Sequence, residues 1–132
     1  MDVVYHFTGC FVLPWIIASR ELRPSRDKND GFPNPDFLWA TTSPLGDRTA
    51  TGMDGYRKNN DPLVRLTLPA EDFESWPDIT KRFLSWTAKH VRILERAAHE
   101  MGQSDARCWR ARTEPLPLTR ILRAEAKILY QQ

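Results

Sequence analysis

A single α+β domain is what this 132-residue chain points to, and three observations carry the reading. Val3–Thr8 (VVYHFT) and Leu63–Leu68 (LVRLTL) alternate with the period of two that a half-buried strand shows. Phe83–Met101 repeats its apolar residues at helical spacing. Between and after these lie further strand-like segments with helices inserted among them, five strands in all, rather than a run of helices alone.

The bulk properties narrow the class. The length fits one domain spanning residues 1–132. A hydrophobic fraction of 41% with five tryptophans indicates a packed core and excludes a disordered chain. The net charge of +2, from 19 basic and 17 acidic residues, is too balanced to argue nucleic-acid binding. Arginines do gather late, at Arg107, Arg110, Arg112, Arg120 and Arg123, as solvated strand faces or as a phosphate-binding patch. Cys10 and Cys108 form no CxxC pair and no disulfide framework. The longest apolar run, Phe11–Ala18, is far short of a membrane span and lacks the basic lead of a signal peptide. The expectation is a cytoplasmic protein with reduced thiols and no membrane partner.

The elements follow in order. Val3–Thr8 is the first strand, with Val3, Tyr5 and Phe7 on one face and Val4, His6 and Thr8 on the other. Gly9 breaks it. Pro14 is tolerable only in a first helical turn, so a helix runs from about Leu13 to Arg20, and its all-round apolar surface predicts burial. Arg23–Asp36 is a proline-rich loop long enough to be functional. Phe37–Thr42 is the second strand, and Pro44–Asp61 is irregular, with a helical turn near Tyr56. Leu63–Leu68 is the third, with Val64, Leu66 and Leu68 inward. A short acidic turn or helix lies within Asp72–Lys81. The long helix over Phe83–Met101 carries Leu84, Val91, Leu94, Ala98 and Met101 on one stripe and stops at Gly102. Ala106–Glu114 and Ile121–Leu129 close the chain as strands, the latter with Leu122, Ala124, Ala126, Ile128 and Tyr130 on one face.

Several chemistries are disfavoured. His90 and His99 are nine positions apart, which at about 100° per residue sets them on opposite sides of their helix, so a zinc site is not expected. A two-histidine phosphoesterase needs two His-x-Thr tripeptides, and only His6-Phe7-Thr8 is present. There is no Gly-x-Ser-x-Gly nucleophile turn and no Gly-rich phosphate loop.

Three segments in order carry a resemblance. VVYHFT with its apolar helix and REL-RP exit, then FLWATTSP, then CWRARTEPLPLTRILRAEAKIL, together resemble the ADP-ribosyltransferase superfamily. The likeness is to the DNA-modifying bacterial toxins in particular, and extends to RNA 2′-phosphotransferases of the same fold. It implies a split β-sheet with short helices, NAD as substrate, and transfer of ADP-ribose to a macromolecule, protein or nucleic acid. It implies Glu114 as the catalytic carboxylate. The implied NAD-binding set is His6, Phe7, Thr8, Trp39, Thr41, Tyr56 and Arg112, with Trp39 or Tyr56 stacking on the nicotinamide. Against the family pattern, Arg20-Glu21 stands before Leu22 where glycine is frequent.

The residue types suit that chemistry on their own terms. Nicotinamide leaves with its bonding electrons, so positive charge develops on the ribose, and a nearby carboxylate stabilises it. A histidine and a hydroxyl hold a ribose by hydrogen bonds, and an aromatic face stacks on a ring. Glu114 is preferred to Glu125, because Glu125 shares a face with Arg123 and Lys127 and reads as a ladder charge. Arg110 and Arg112 share the face of Glu114 in a regular strand, to hold it or to bind a pyrophosphate. Each residue has a plainer reading: His6 as a satisfied strand histidine, Thr8 as a turn cap, Trp39 as core, Glu114 as a surface ion-pair partner. The alternative is a non-catalytic binding or inhibitor protein on the same scaffold.

Overall fold

A computed structural model describes residues 2–24, 32–50 and 62–127. Strand β1 (Val3–Gly9) leads through a 3₁₀ turn (Cys10–Val12) into helix α1 (Leu13–Ser19). Then come β2 (Glu21–Leu22), β3 (Leu38–Thr41), β4 (Leu63–Pro69), a 3₁₀ turn (Ala70–Asp72) and β5 (Glu74–Ser75). Helices α2 (Trp76–Arg82) and α3 (Ala88–Met101) follow. The chain closes with a 3₁₀ turn (Ala106–Cys108), β6 (Trp109–Arg112), β7 (Leu116–Pro117), a 3₁₀ turn (Leu118–Arg120) and β8 (Arg123–Lys127). Six strands form one antiparallel sheet in the order β5-β6-β3-β1-β4-β8, and β2 and β7 form a separate ribbon. The architecture is α+β, as expected. No helix among the described residues is long and apolar enough to cross a membrane.

Strand alternation gives the sheet two different faces. On one, Val4, Leu38, Ala40, Val64, Leu66 and Leu68 pack with Ile16, Leu22, Phe73 and Leu116. On the other, Trp109 and Ala111 pack with Phe37, Trp76, Ile79, Trp86 and Ala98 beneath α2 and α3. The sheet cannot be flat. Four strand spacings separate β4 from β5, about 19 Å in a flat sheet. The link from Pro69 to Glu74 includes the 3₁₀ turn and reaches only roughly 13 Å. The flanks therefore curl towards each other with the aliphatic face inside, which puts Phe73 against Val4 and Leu66 in one cluster.

Four expectations need correction. Helix α1 is not buried: only Ile16 is, while Trp15 and Ile17 are 76% and 61% exposed. A seven-residue helix lying on a sheet presents one stripe to it, here Leu13 and Ile16, whatever covers its other sides. The long helix begins at Ala88 rather than Phe83, because Thr87 caps it. Thr87 Oγ1 accepts from the His90 amide, and His90 Nδ1 accepts from the Thr87 amide at 3.2 Å. Leu84 is left in the preceding turn, 96% exposed. The strand expected over Ala106–Glu114 is only Trp109–Arg112, since Asp105 caps a 3₁₀ turn ahead of it and Glu114 lies past its end. On β8 the face expected to be buried is exposed at Leu122, Ala124 and Ala126, because β8 is an edge strand with no layer over it among the described residues. Ile128 and Tyr130 lie outside the described residues.

Away from the sheet, one buried carboxylate fixes the loop after β3. Asp47 is 2% exposed. It accepts from the amides of Thr49, Ala50 and Asp105 and from Ser104 Oγ at 2.6–3.0 Å. It thus ties the β3 exit to the segment before β6. Asp47→Ala leaves buried donors without an acceptor, and urea unfolding is expected to show a loss of roughly 3 kcal/mol. A loss well under 1 kcal/mol contradicts that role.

Candidate functional site

The site is built on β1. His6 pairs with Leu66 and Thr8 with Val64, so both polar side chains share the aliphatic face, as the alternation requires. Towards β4 the strand is fully laddered, from Val3↔Pro69 to Gly9↔Leu63. Towards β3 it is paired at Tyr5↔Thr41 alone. Beside that point His6 Nδ1 meets the Trp39 carbonyl oxygen at 2.6 Å. An imidazole thus adds a side-chain bond at the seam where β1 and β3 meet.

That bond decides the tautomer. A carbonyl oxygen only accepts, so Nδ1 carries the proton and donates. Burial lowers the His6 pKa from its ordinary value, and the bond to Trp39 offsets this only in part. The ring is neutral at neutral pH, and Nε2 is left as a lone-pair acceptor. Such a group takes a hydrogen bond from a hydroxyl without bringing charge to the site.

The other expected residues divide. Thr8 is 4% exposed and lies two residues from His6 on the same face. Phe7 pairs with Arg65 and points to the opposite face. Trp39 pairs with Ala111 on that opposite face and packs against Trp76 at 5.2 Å, Phe37 at 5.6 Å and Trp109 at 5.9 Å. Its carbonyl reaches His6 but its ring does not, so a stacking role for Trp39 beside His6 does not fit. Thr41 is fully buried, pairs with Tyr5 and Trp109, and accepts from the Ser43 amide at 3.1 Å. Its hydroxyl is a turn former on the far face. Tyr56 lies outside the described residues.

Arg112 is held by backbone carbonyls. Its guanidinium donates to the carbonyls of Glu114 at 2.8 Å, Asp72 at 3.0 Å and Pro115 at 3.1 Å. It clamps the turn that carries Glu114 onto the turn before β5. Glu114 itself is exposed, and its carboxylate has no ion pair among the described residues. It lines an open polar cavity of about 370 Å³ with Glu71, Asp72, Glu74, Arg82 and Arg112. The other carboxylates there are matched: Arg120 holds Glu71 and Asp72 at 2.9 Å, and Arg82 holds Glu74 at 2.7 Å. His6 does not line this cavity. Only β3 lies between β1 and β6, so about 10 Å separates β1 from the strand that Glu114 follows. Glu125 is the ladder charge it was expected to be, bonded to Arg65 at 2.8 Å directly across from it. That bond holds its carboxyl below the usual range.

Two parts of this arrangement escape sequence reading. The Trp39 carbonyl as a partner for His6 carries no side-chain signal. The Arg120–Asp72–Glu71 cluster joins residues far apart in the chain. Set against protein-family models, curated proteins and solved structures, the chain matches none.

The lowered His6 pKa makes stability depend on pH. The unfolded chain binds a proton at His6 near the ordinary value, and the folded chain binds it only at lower pH. The His6 contribution is therefore complete above about pH 7 and is lost as pH falls from the unfolded value through the folded one. His6→Asn keeps a donor near the Nδ1 position and cannot titrate. Denaturant unfolding at pH 7 and pH 5 is expected to show a smaller drop for His6→Asn than for the unsubstituted protein. An equal or larger drop contradicts a neutral imidazole in the folded chain.

Proposed function

We propose that the chain binds NAD at the seam between β1 and β3 and transfers its ADP-ribose to a macromolecular acceptor, protein or nucleic acid. The single observation that carries this reading is the bond that ties His6 Nδ1 to the Trp39 carbonyl, which leaves Nε2, without a partner among the described residues, as an acceptor for a ribose hydroxyl. Thr8 supplies a hydroxyl on the same face. Glu114 supplies the carboxylate, and its lack of a described ion pair leaves its oxygens open to a ribose hydroxyl and a developing positive charge. Arg112 is a positioning residue, since its bonds to the Glu114 and Pro115 carbonyls fix the turn. The ring that stacks on nicotinamide is assigned to Tyr56, now that Trp39 lies in the aromatic core. The glycosidic C1′–N bond breaks with its electron pair on nicotinamide. A nucleophile of the acceptor bonds to C1′, and its proton passes to solvent.

The rival reading is a binding or inhibitor protein on the same scaffold without turnover. The absence of His6 from the cavity that Glu114 lines favours it. Incubation with labelled NAD and cell extract separates the two. Transfer of label is expected, and Glu114→Gln is expected to lower it about 100-fold or more while NAD binding persists. No transfer to protein or nucleic acid by the unsubstituted chain, or undiminished transfer by Glu114→Gln, overturns the enzyme reading.

A further inference from the structure

A surface apart from the seam carries a different inference. Between the end of α2 and the start of α3 lies an open groove of about 470 Å³, with Phe83, Leu84, Trp86 and Val91 along it and Lys81 and Arg92 on its rim. A second cavity of about 420 Å³ continues along α3 and shares Arg92, adding Lys89, Ile93 and Arg96. Lys81, Lys89, Arg92 and Arg96 enter no ion pair with any described residue. Only one carboxylate, Glu100, lines the two cavities.

This arrangement works against the helix. Lys89, Arg92 and Arg96 fall within an arc of about 60°. Arg92 and Arg96 repel at the four-residue spacing. Lys89 sits in a first turn that holds no acidic residue, where the helix dipole disfavours a cation. A stripe that weakens its own helix is explained by what it meets.

The chemistry of the stripe selects the partner. Both cavities are open, and most of their lining residues are exposed, which suits a segment laid along the surface better than a small enclosed ligand. Exposed apolar side chains, Leu84 at 96% and Ile93 at 49%, alternate with the cations, which suits an amphipathic partner better than a phosphate backbone. We infer that this face of α3 is a docking surface for an acidic amphipathic protein segment. Its apolar side chains enter the groove beside Phe83, Leu84 and Val91. Its carboxylates pair with Lys81, Lys89, Arg92 and Arg96. This surface owes nothing to the transfer reaction, and its test is independent of NAD.

The probe is a synthetic helix-forming peptide of 14 residues, the length of α3, with leucines at helical spacing and glutamates elsewhere. An isomer of the same composition has its leucines scattered round the helix. Titration of the full chain is expected to give saturable, salt-sensitive binding of the amphipathic peptide, about tenfold tighter than of the isomer. The double substitution Arg92→Glu, Arg96→Glu is expected to weaken it about tenfold or more. Lys89→Glu is expected to weaken binding about fivefold while raising Tm by roughly 1–4 °C, a combination that damage to the fold cannot produce. Equal binding of the two peptides overturns the proposal. So does indifference to the charge reversals, or tighter binding of a single-stranded oligonucleotide through the same residues.

Discussion

The bond between His6 Nδ1 and the Trp39 carbonyl is the point on which the rest of this structure turns. A central strand normally ladders on both sides, because an unpaired backbone group inside a protein costs about as much as a lost hydrogen bond. β1 does so towards β4 but not towards β3. The imidazole gives the Trp39 carbonyl a partner. It also acquires a fixed tautomer and a lowered affinity for protons. One interaction thus answers a structural need and creates a neutral acceptor at the middle of the sheet.

The two cores on either side make the seam tolerable. The aromatic side is a continuous network of Phe37, Trp39, Trp76, Trp86 and Trp109, with ring centroids 5.1–6.3 Å apart, and it holds β3 and β6 against α2 and α3. Contacts of this kind add to the large area the rings bury. The aliphatic side is closed by the curl that the short β4–β5 link imposes. Arginines then fasten the edges. Arg112 joins the β6 exit to the turn before β5, and Arg120 joins the β7–β8 connection to the same turn. The backbone of the turn that carries Glu114 is held by Arg112. That is the condition a carboxylate needs if it is to act at a defined place.

Much of this was legible in the sequence. The alternation of β1 and β4 gave the faces of His6, Thr8, Val64, Leu66 and Leu68 correctly, because a period of two leaves no freedom once one residue is buried. The reading of Glu125 as a ladder charge rested on the same rule, although its partner Arg65 could be named only from the strand pairing. The start of the long helix was missed because its cap uses histidine where glutamate or glutamine is usual. The exposure of α1 and β8 was missed because apolar composition says that a face can be buried, not that a layer exists to bury it. The choice between core residue and stacking ring for Trp39 was left open for a different reason. A motif position fixes a residue along the chain, whereas the face it takes depends on the register of β3 against β6, and that register is set by tertiary pairing.

The central claim is that His6 is a neutral imidazole with its proton on Nδ1 and Nε2 open. Nitrogen-15 NMR of the imidazole at neutral pH measures this most directly. The account predicts a protonated Nδ1, an unprotonated Nε2, and a shift of the Nε2 resonance alone when NAD is added. A proton on Nε2, a doubly protonated ring at neutral pH, or spectra that NAD leaves unchanged would contradict it.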